Sequence, residues 1–243
     1  MTEIGAVKNS WLDLTDTPSS YSGQSGKYPK VKTDETGLEF GTVSGGWDPW
    51  DGYFYCNLLF ESIDGFLITT SGSASVAIDS DYGSVHLQTG TTENSVAGAA
   101  KASSYTFHDL TWDKDRSIRT KIWMPYASVH ETWIISGEIN TGEHIGFKIS
   151  GGTLYGTVAD GTSESTLSCG SLSEPVVKKL EVKFTAGSEC RFYVDGVDQG
   201  AITTNLPSGT GGAKYIMDAR VENLEAANHQ LKISLWEFKQ EVT

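Results

Sequence analysis

From Trp47 onward the chain reads as β nearly throughout, with apolar residues recurring at every second position in short runs separated by Gly, Ser and Asp clusters. In "SIRTKIWM", Ile118, Thr120, Ile122 and Met124 share one side while Arg119 and Lys121 take the other. The same alternation places Ile145, Phe147 and Ile149 together, then Leu154 with Val158, then Leu180, Val182 and Phe184. Cys190, Phe192 and Val194 follow the pattern before a turn at Asp195-Gly196. The shorter runs "YFYCNLLF", "GFLITT", "ASVAI", "SVHLQT" and "SYTFHDL" also read as strands. A period of two means one face buried and one wet, which is the habit of antiparallel sheets. Many such strands at short, regular spacing predict an all-β fold of two antiparallel sheets, a sandwich or jelly roll. One segment is ambiguous: "ARVENLEAANHQL", from Ala219 to Leu231, reads as a turn or two of helix whose first part also fits a strand. The last run, "LKISLWEF", sets Leu231, Ile233 and Leu235 on one face and Trp236 and Phe238 on the other. A strand apolar on both faces needs cover on both, from the N-terminal arm of the chain or from a neighbouring subunit.

Residues 1–44 break the pattern, and the expected division is an N-terminal segment over 1–44 and a sandwich over 45–243. The segment has few apolar groups, among them Leu12, Leu14, Tyr21, Tyr28, Leu38 and Phe40. These do not offset an ordering cost of roughly 1–2 kcal/mol per residue. Two local signals remain. "LTDTPSS" is a turn cluster in which Asp16 caps and Pro18 fixes φ. "KYPKVKTDETGLEF" predicts a small hairpin, Tyr28 to Lys32 and Leu38 to Phe40 around a turn over Asp34 to Gly37. A lone hairpin is marginal in water, so the segment needs cover from elsewhere.

The net charge of −13 on 243 residues argues against a nucleic-acid partner, which needs many Lys and Arg at phosphates, and against anionic membrane surfaces. The start carries neither a basic region nor an apolar stretch of signal-peptide type, so synthesis and folding in a cytoplasm are expected. No apolar run approaches the roughly 20 residues that span a bilayer, so no membrane insertion is expected. Cys56, Cys169 and Cys190, odd in number and widely spaced, fit neither a disulfide framework nor a metal pair and read as free core thiols.

Two stretches carry a resemblance. Leu14, Asp16, Pro18 and Tyr21, then Gly23, Gln24, Gly26 and Lys27, then Gly37 to Phe40, resemble a short segment found in bacteriophage fibre and tail proteins. From about Phe60 onward, "FESIDGFLITTSGSASV", "GSVHLQTG", "LTWDKDRSIRTKIWM" and "FYVDGVDQG" resemble the concanavalin A-like lectin/glucanase sandwich, in its laminin-G-like branch. The resemblance implies a phage virion protein located on the particle. Its N-terminal segment (Leu14, Asp16, Pro18, Tyr21, Tyr28, Leu38, Phe40) would attach it to other virion proteins or to sister subunits. A homotrimer is implied, with a role in host-surface adhesion or particle decoration. The other reading of the segment is a solvated arm lying along its own domain.

The sandwich fold hosts lectins, hydrolases and structural modules, so residues must decide. A glucanase of the resembled kind needs acidic residues at i, i+2 and i+4 of one strand, about 5–5.5 Å apart across the bond that is cut. No such triplet occurs: Asp113 and Asp115 are followed by Ser117, Asp79 and Asp81 by Gly83, and Lys239 stands between Glu237 and Glu241. No enzymatic activity is expected. "HETWI" at His130 has Ile134 where a zinc protease has its second histidine. "DSDYG" at Asp79 lacks the later ligands of a calcium loop. The five histidines, His86, His108, His130, His144 and His229, are scattered, and no cofactor or metal is expected. "GGWDPWDGY" sets Trp47, Trp50 and Tyr53 among Asp48 and Asp51, the flat faces and carboxylates that a sugar ring requires. The same residues would also serve to plug the end of the sandwich or a subunit contact. A lectin with a defined sugar pocket is therefore the alternative function, with a host cell-surface glycan as partner.

Overall fold

The computed structural model describes residues 28–31, 38–41, 53–58, 65–79, 83–102, 110–126, 130–139, 142–209 and 215–241, the first three stretches as backbone. The chain divides into two compact units, Met1–Asp51 and Gly52–Thr243. In the first, β1 (Tyr28–Val31) and β2 (Leu38–Gly41) form an antiparallel hairpin, with Tyr28 opposite Gly41 and Val31 opposite Leu38.

The second unit is a two-sheet antiparallel sandwich. One sheet runs, in spatial order, β12 (Glu164–Ser171), β11 (Thr153–Asp160), β10 (Glu143–Ser150), β9 (His130–Gly137), β16 (Tyr215–Asn223), β7 (Val96–Ala102) and β4 (Leu67–Thr70). The other runs β15 (Val197–Ile202), β14 (Glu189–Val194), β13 (Val176–Thr185), β8 (Arg116–Met124), β17 (Gln230–Glu241), β6 (Ser84–Gln88) and β5 (Ser75–Asp79). A further strand, β3 (Tyr53–Leu58), pairs with the second half of β17, beyond the stretch paired with β6. The described residues contain no helix.

The alternating residues face each other across the sandwich. Ile145, Phe147 and Ile149 of β10 and Leu180, Val182 and Phe184 of β13 are all buried in one hydrophobic cluster. Phe147 meets Phe192 of β14 edge to face, with centroids 5.5 Å apart and planes at 77°. Gly156 of β11 lies beneath the same ring, and a Cβ there would stand 2.6 Å from Phe192. The β14–β15 turn falls at Asp195-Gly196, whose φ values of 52° and 81° are those a two-residue hairpin turn demands. Cys190 is buried, Cys169 is half-buried, and both are free thiols.

Two expectations are corrected. The segment from Ala219 to Leu231 forms no helix: Ala219 to Asn223 continue β16, bends occupy 224–227, and β17 begins at Gln230. The helical spacing of its charged residues is outweighed by pairing with β7 and β9 on both sides. Nor is β17 apolar on both faces. Ile233 lies opposite Ile122 and Leu235 opposite Lys121, so Ser234 is an extra residue, a β-bulge. The bulge resets the alternation, and Leu231, Ile233, Trp236 and Phe238 all enter the core at 0% exposure. Thr120, buried in the facing strand, donates from Oγ1 to the bulge carbonyl of Leu235 at 2.8 Å. Burying the two aromatics contributes roughly 1.5–3 kcal/mol each, and no second subunit is needed for it.

Candidate functional site

The sequence-predicted site residues Trp47, Asp48, Trp50 and Asp51, and the segment residues Leu14, Asp16, Pro18 and Tyr21, lie outside the described residues. Tyr53 opens β3, Tyr28 opens β1, and Leu38 and Phe40 belong to β2, each described as backbone alone. Other motifs have structural employment. Asp115 accepts the backbone N–H of Ala186 at 2.9 Å, and Asp79 holds Lys232 at 2.7 Å. "HETWI" is strand β9, with Ile134 in the core. Among the described residues no group of three His, Cys, Asp or Glu is placed to hold a metal.

A site does emerge on the outer face of the seven-stranded sheet. Inward residues of β16 are Met217, Ala219 and Val221, so Asp218, Arg220 and Glu222 point away from the core. Strand register extends this face sideways. One row across the sheet is Thr69, Gly98, Arg220, Trp133, Lys148 and Tyr155. The next is Leu67, Ala100, Asp218, Ile135, Gly146 and Thr157. Because β7 places only Gly98 and Ala100 in these two rows, the sheet sinks between β4 and β16. The result is a cleft of about 200 Å³ lined by Leu67, Thr69, Gly98, Ala100, Glu138, Ile139, Tyr215, Asp218 and Arg220.

The walls are polar and positioned. Arg220 donates from Nη2 to Glu222 at 2.8 Å, while its buried Nε has no hydrogen-bond acceptor among the described residues. Glu138 follows β9, and its backbone is fixed by His144: Nδ1 lies 3.0 Å from the Gly142 carbonyl and 3.2 Å from that of Glu138. Those carbonyls only accept, so Nδ1 carries a proton. His144 Nε2 stands 3.1 Å from Thr157 Oγ1, which donates to Glu164 at 2.6 Å. Burial pulls the His144 pKa down, against the opposing pull of the Gly142 carbonyl, Glu164 and the Glu138 carbonyl. Beside the cleft, Trp133 is only 5% exposed: the Lys148 ammonium sits 4.2 Å above its ring and His144 meets it edge-on at 5.7 Å. Two carboxylates of the same face, Glu131 and Glu222, lie opposite each other in register. Each has a cation, Lys148 at 3.9 Å and Arg220 at 2.8 Å.

This cleft was not found from the sequence, because its parts come from three strands far apart in the chain. The only local signal was the outward Gly98 and Ala100 in "VAGAAKA", a run too small-sided to read as a strand.

No protein-family model matches the chain, and no curated protein sequence matches it. Solved structures do. A protein of unknown function from Shewanella oneidensis is 17% identical, covering 78% of this chain and 87% of that one, with a TM-score of 0.55. A Bacillus licheniformis β-glucanase is 10% identical, covering 77% and 97%, with a TM-score of 0.55. The fold is a concanavalin A-like jelly roll. The binding domain of botulinum neurotoxin serotype C1 is 13% identical with a TM-score of 0.50, covering 70% of this chain but only 43% of that one. The likeness is one of architecture, at identities that carry the fold alone.

Proposed function

We propose that the chain is a non-catalytic recognition module that binds a glycan through the outer face of its seven-stranded sheet. The observation that carries this reading is the cleft. Its floor of Gly98 and Ala100 admits the apolar face of a sugar ring, while Asp218, Glu138, Tyr215, Thr69 and the Arg220 Nε–H surround it with partners for hydroxyls. Its volume of about 200 Å³ falls below the roughly 300–1,000 Å³ of enclosed small-molecule pockets and suits a shallow contact with one or two sugar units. The likeness to a β-glucanase supports a sugar on this fold. Against hydrolysis by the glucanase mechanism stands the lack of an acidic triplet at i, i+2 and i+4 of one strand. Probing a glycan array with the chain and with Gly98→Val tests the reading. A Cβ at Gly98 would meet its neighbours at ordinary distances of 3.4–3.9 Å, so a side chain can start there and rise into the floor; unchanged near-UV circular dichroism checks that the variant is folded. Binding to a defined set of glycans, lost in Gly98→Val, is expected; no binding at all, or binding unchanged by the substitution, contradicts it.

The setting we propose is a phage virion. Support comes from the pattern Leu14 to Phe40, which resembles fibre and tail segments, and from the β1–β2 hairpin within it. In this reading the N-terminal segment attaches the module to other virion proteins or to sister copies, and the sandwich meets the host surface.

A further inference from the structure

At the end of the sandwich where β9 begins, two imidazoles stack in the interior. The rings of His130 and His229 have centroids 4.6 Å apart and planes inclined by 31°, and the residues are 0% and 3% exposed. His130 is the first residue of β9, and His229 ends the turn that joins β16 to β17. That turn is tied to the segment between β6 and β7. The His229 N–H donates to Thr89 Oγ1 at 2.9 Å, and its carbonyl accepts the Thr89 N–H at 3.0 Å. Asn223 Nδ2 donates to the carbonyls of Thr92 at 2.9 Å and Ala227 at 3.0 Å. The Asn223 backbone also exchanges hydrogen bonds with Ser95 and Asn94, both at 3.2 Å. The charged groups acting on His229 are Glu225, within the turn and 3.7 Å from Nε2, and Glu174, ahead of β13.

We propose that this pair is an acid-operated latch: with His229 neutral, the stacked rings hold the 224–229 turn in place, and proton uptake by His229 releases it. A proton on His229 is eased by Glu225 and Glu174. Against them stands burial: His229 is 3% exposed and its ring is stacked on His130, where its charged form loses hydration. Burial already draws His229 below its ordinary value, although Glu225 and Glu174 pull the other way. A lowered folded-state value means that the opened turn binds more protons than the closed one. The latch is therefore fully held above the ordinary histidine value of about 6.5 and is lost as pH falls through it. Release would free the β16–β17 turn while the rest of the sandwich stays folded.

The experiment is amide exchange by NMR on the full chain between pH 7.5 and 5, corrected for intrinsic rates. The amides of Thr89, Asn94, Asn223 and His229 report the latch, and Val182 and Phe192 serve as references. The opening constant of the latch amides should rise by about tenfold per pH unit for each proton taken up, while the references hold. His229→Gln should remove at least one proton from that slope. His86→Gln, altering a third histidine that burial also lowers, should leave it as in the wild type. Ring titrations of the wild type supply an independent check, with His229 expected below the ordinary histidine value of about 6.5. Latch amides insensitive to pH, a slope unchanged in His229→Gln, or a His229 titration at or above 6.5 would each overturn the proposal.

Discussion

Gly156 shows how tightly single residues are placed. A side chain there would stand 2.6 Å from the Phe192 ring, which is fully buried and held edge-on by Phe147. Gly156→Ala should therefore cost about 1–3 kcal/mol, the usual cost of overpacking. Phe192→Leu should recover part of that loss in the double variant, as urea unfolding of the three proteins would measure. Thr120 gives a second case: Thr120→Val keeps the shape but strands the Leu235 carbonyl at the bulge, a loss of about 1–3 kcal/mol. Some of this scale is legible in sequence. Asp195-Gly196 announces its turn, and the alternation assigns Ile118, Val182 and Phe192 to the core. Gly156 against Phe192 is not legible, because the close approach joins opposite sheets and leaves no local pattern.

Among the elements, β17 is the one whose reading depended on a single residue. Counting by twos through "LKISLWEF" separates the aliphatics from the aromatics; the bulge at Ser234 reunites them. Deleting Ser234 should remove the extra residue and leave a regular ladder in which Leu235 still lies opposite Lys121 and Trp236 and Phe238 still face inward, and the expected outcome is retention of the cooperative fold, seen as preserved near-UV circular dichroism. Trp236→Ala alone should cost about 3–5 kcal/mol. A bulge has no strong sequence signature when its extra residue is a serine, which is why it was missed. Strand β7 was missed for the opposite reason: alanine and glycine have weak strand preference, and only partners on both sides hold Val96–Ala102 extended. The same small residues make the cleft floor, so the failure to see the strand and the failure to see the site have one cause. β16 was half-legible, since its charges fit a helix and its inward Met217, Ala219 and Val221 fit a strand.

For the whole molecule, the sandwich architecture followed from alternation because that pattern is global, whereas the cleft is assembled by topology from β4, β7 and β16. The bulge also changes the case for self-association. With Trp236 and Phe238 buried within the chain, a proposed homotrimer rests on the N-terminal segment and on its resemblance to phage fibres. The solution mass of the full chain beside a truncation starting at Gly45 tests that proposal: an oligomer that becomes a monomer on truncation is expected, and a full-length monomer at micromolar concentration removes it. The central claim, that a glycan meets the outer face of the seven-stranded sheet, is tested most directly by NMR shift mapping during titration with an array-selected glycan. Perturbations should cluster at the amides of Leu67 to Thr69, Gly98 to Ala100 and Asp218 to Arg220. Perturbations confined to the opposite sheet, around Lys121 and Lys179, would contradict it.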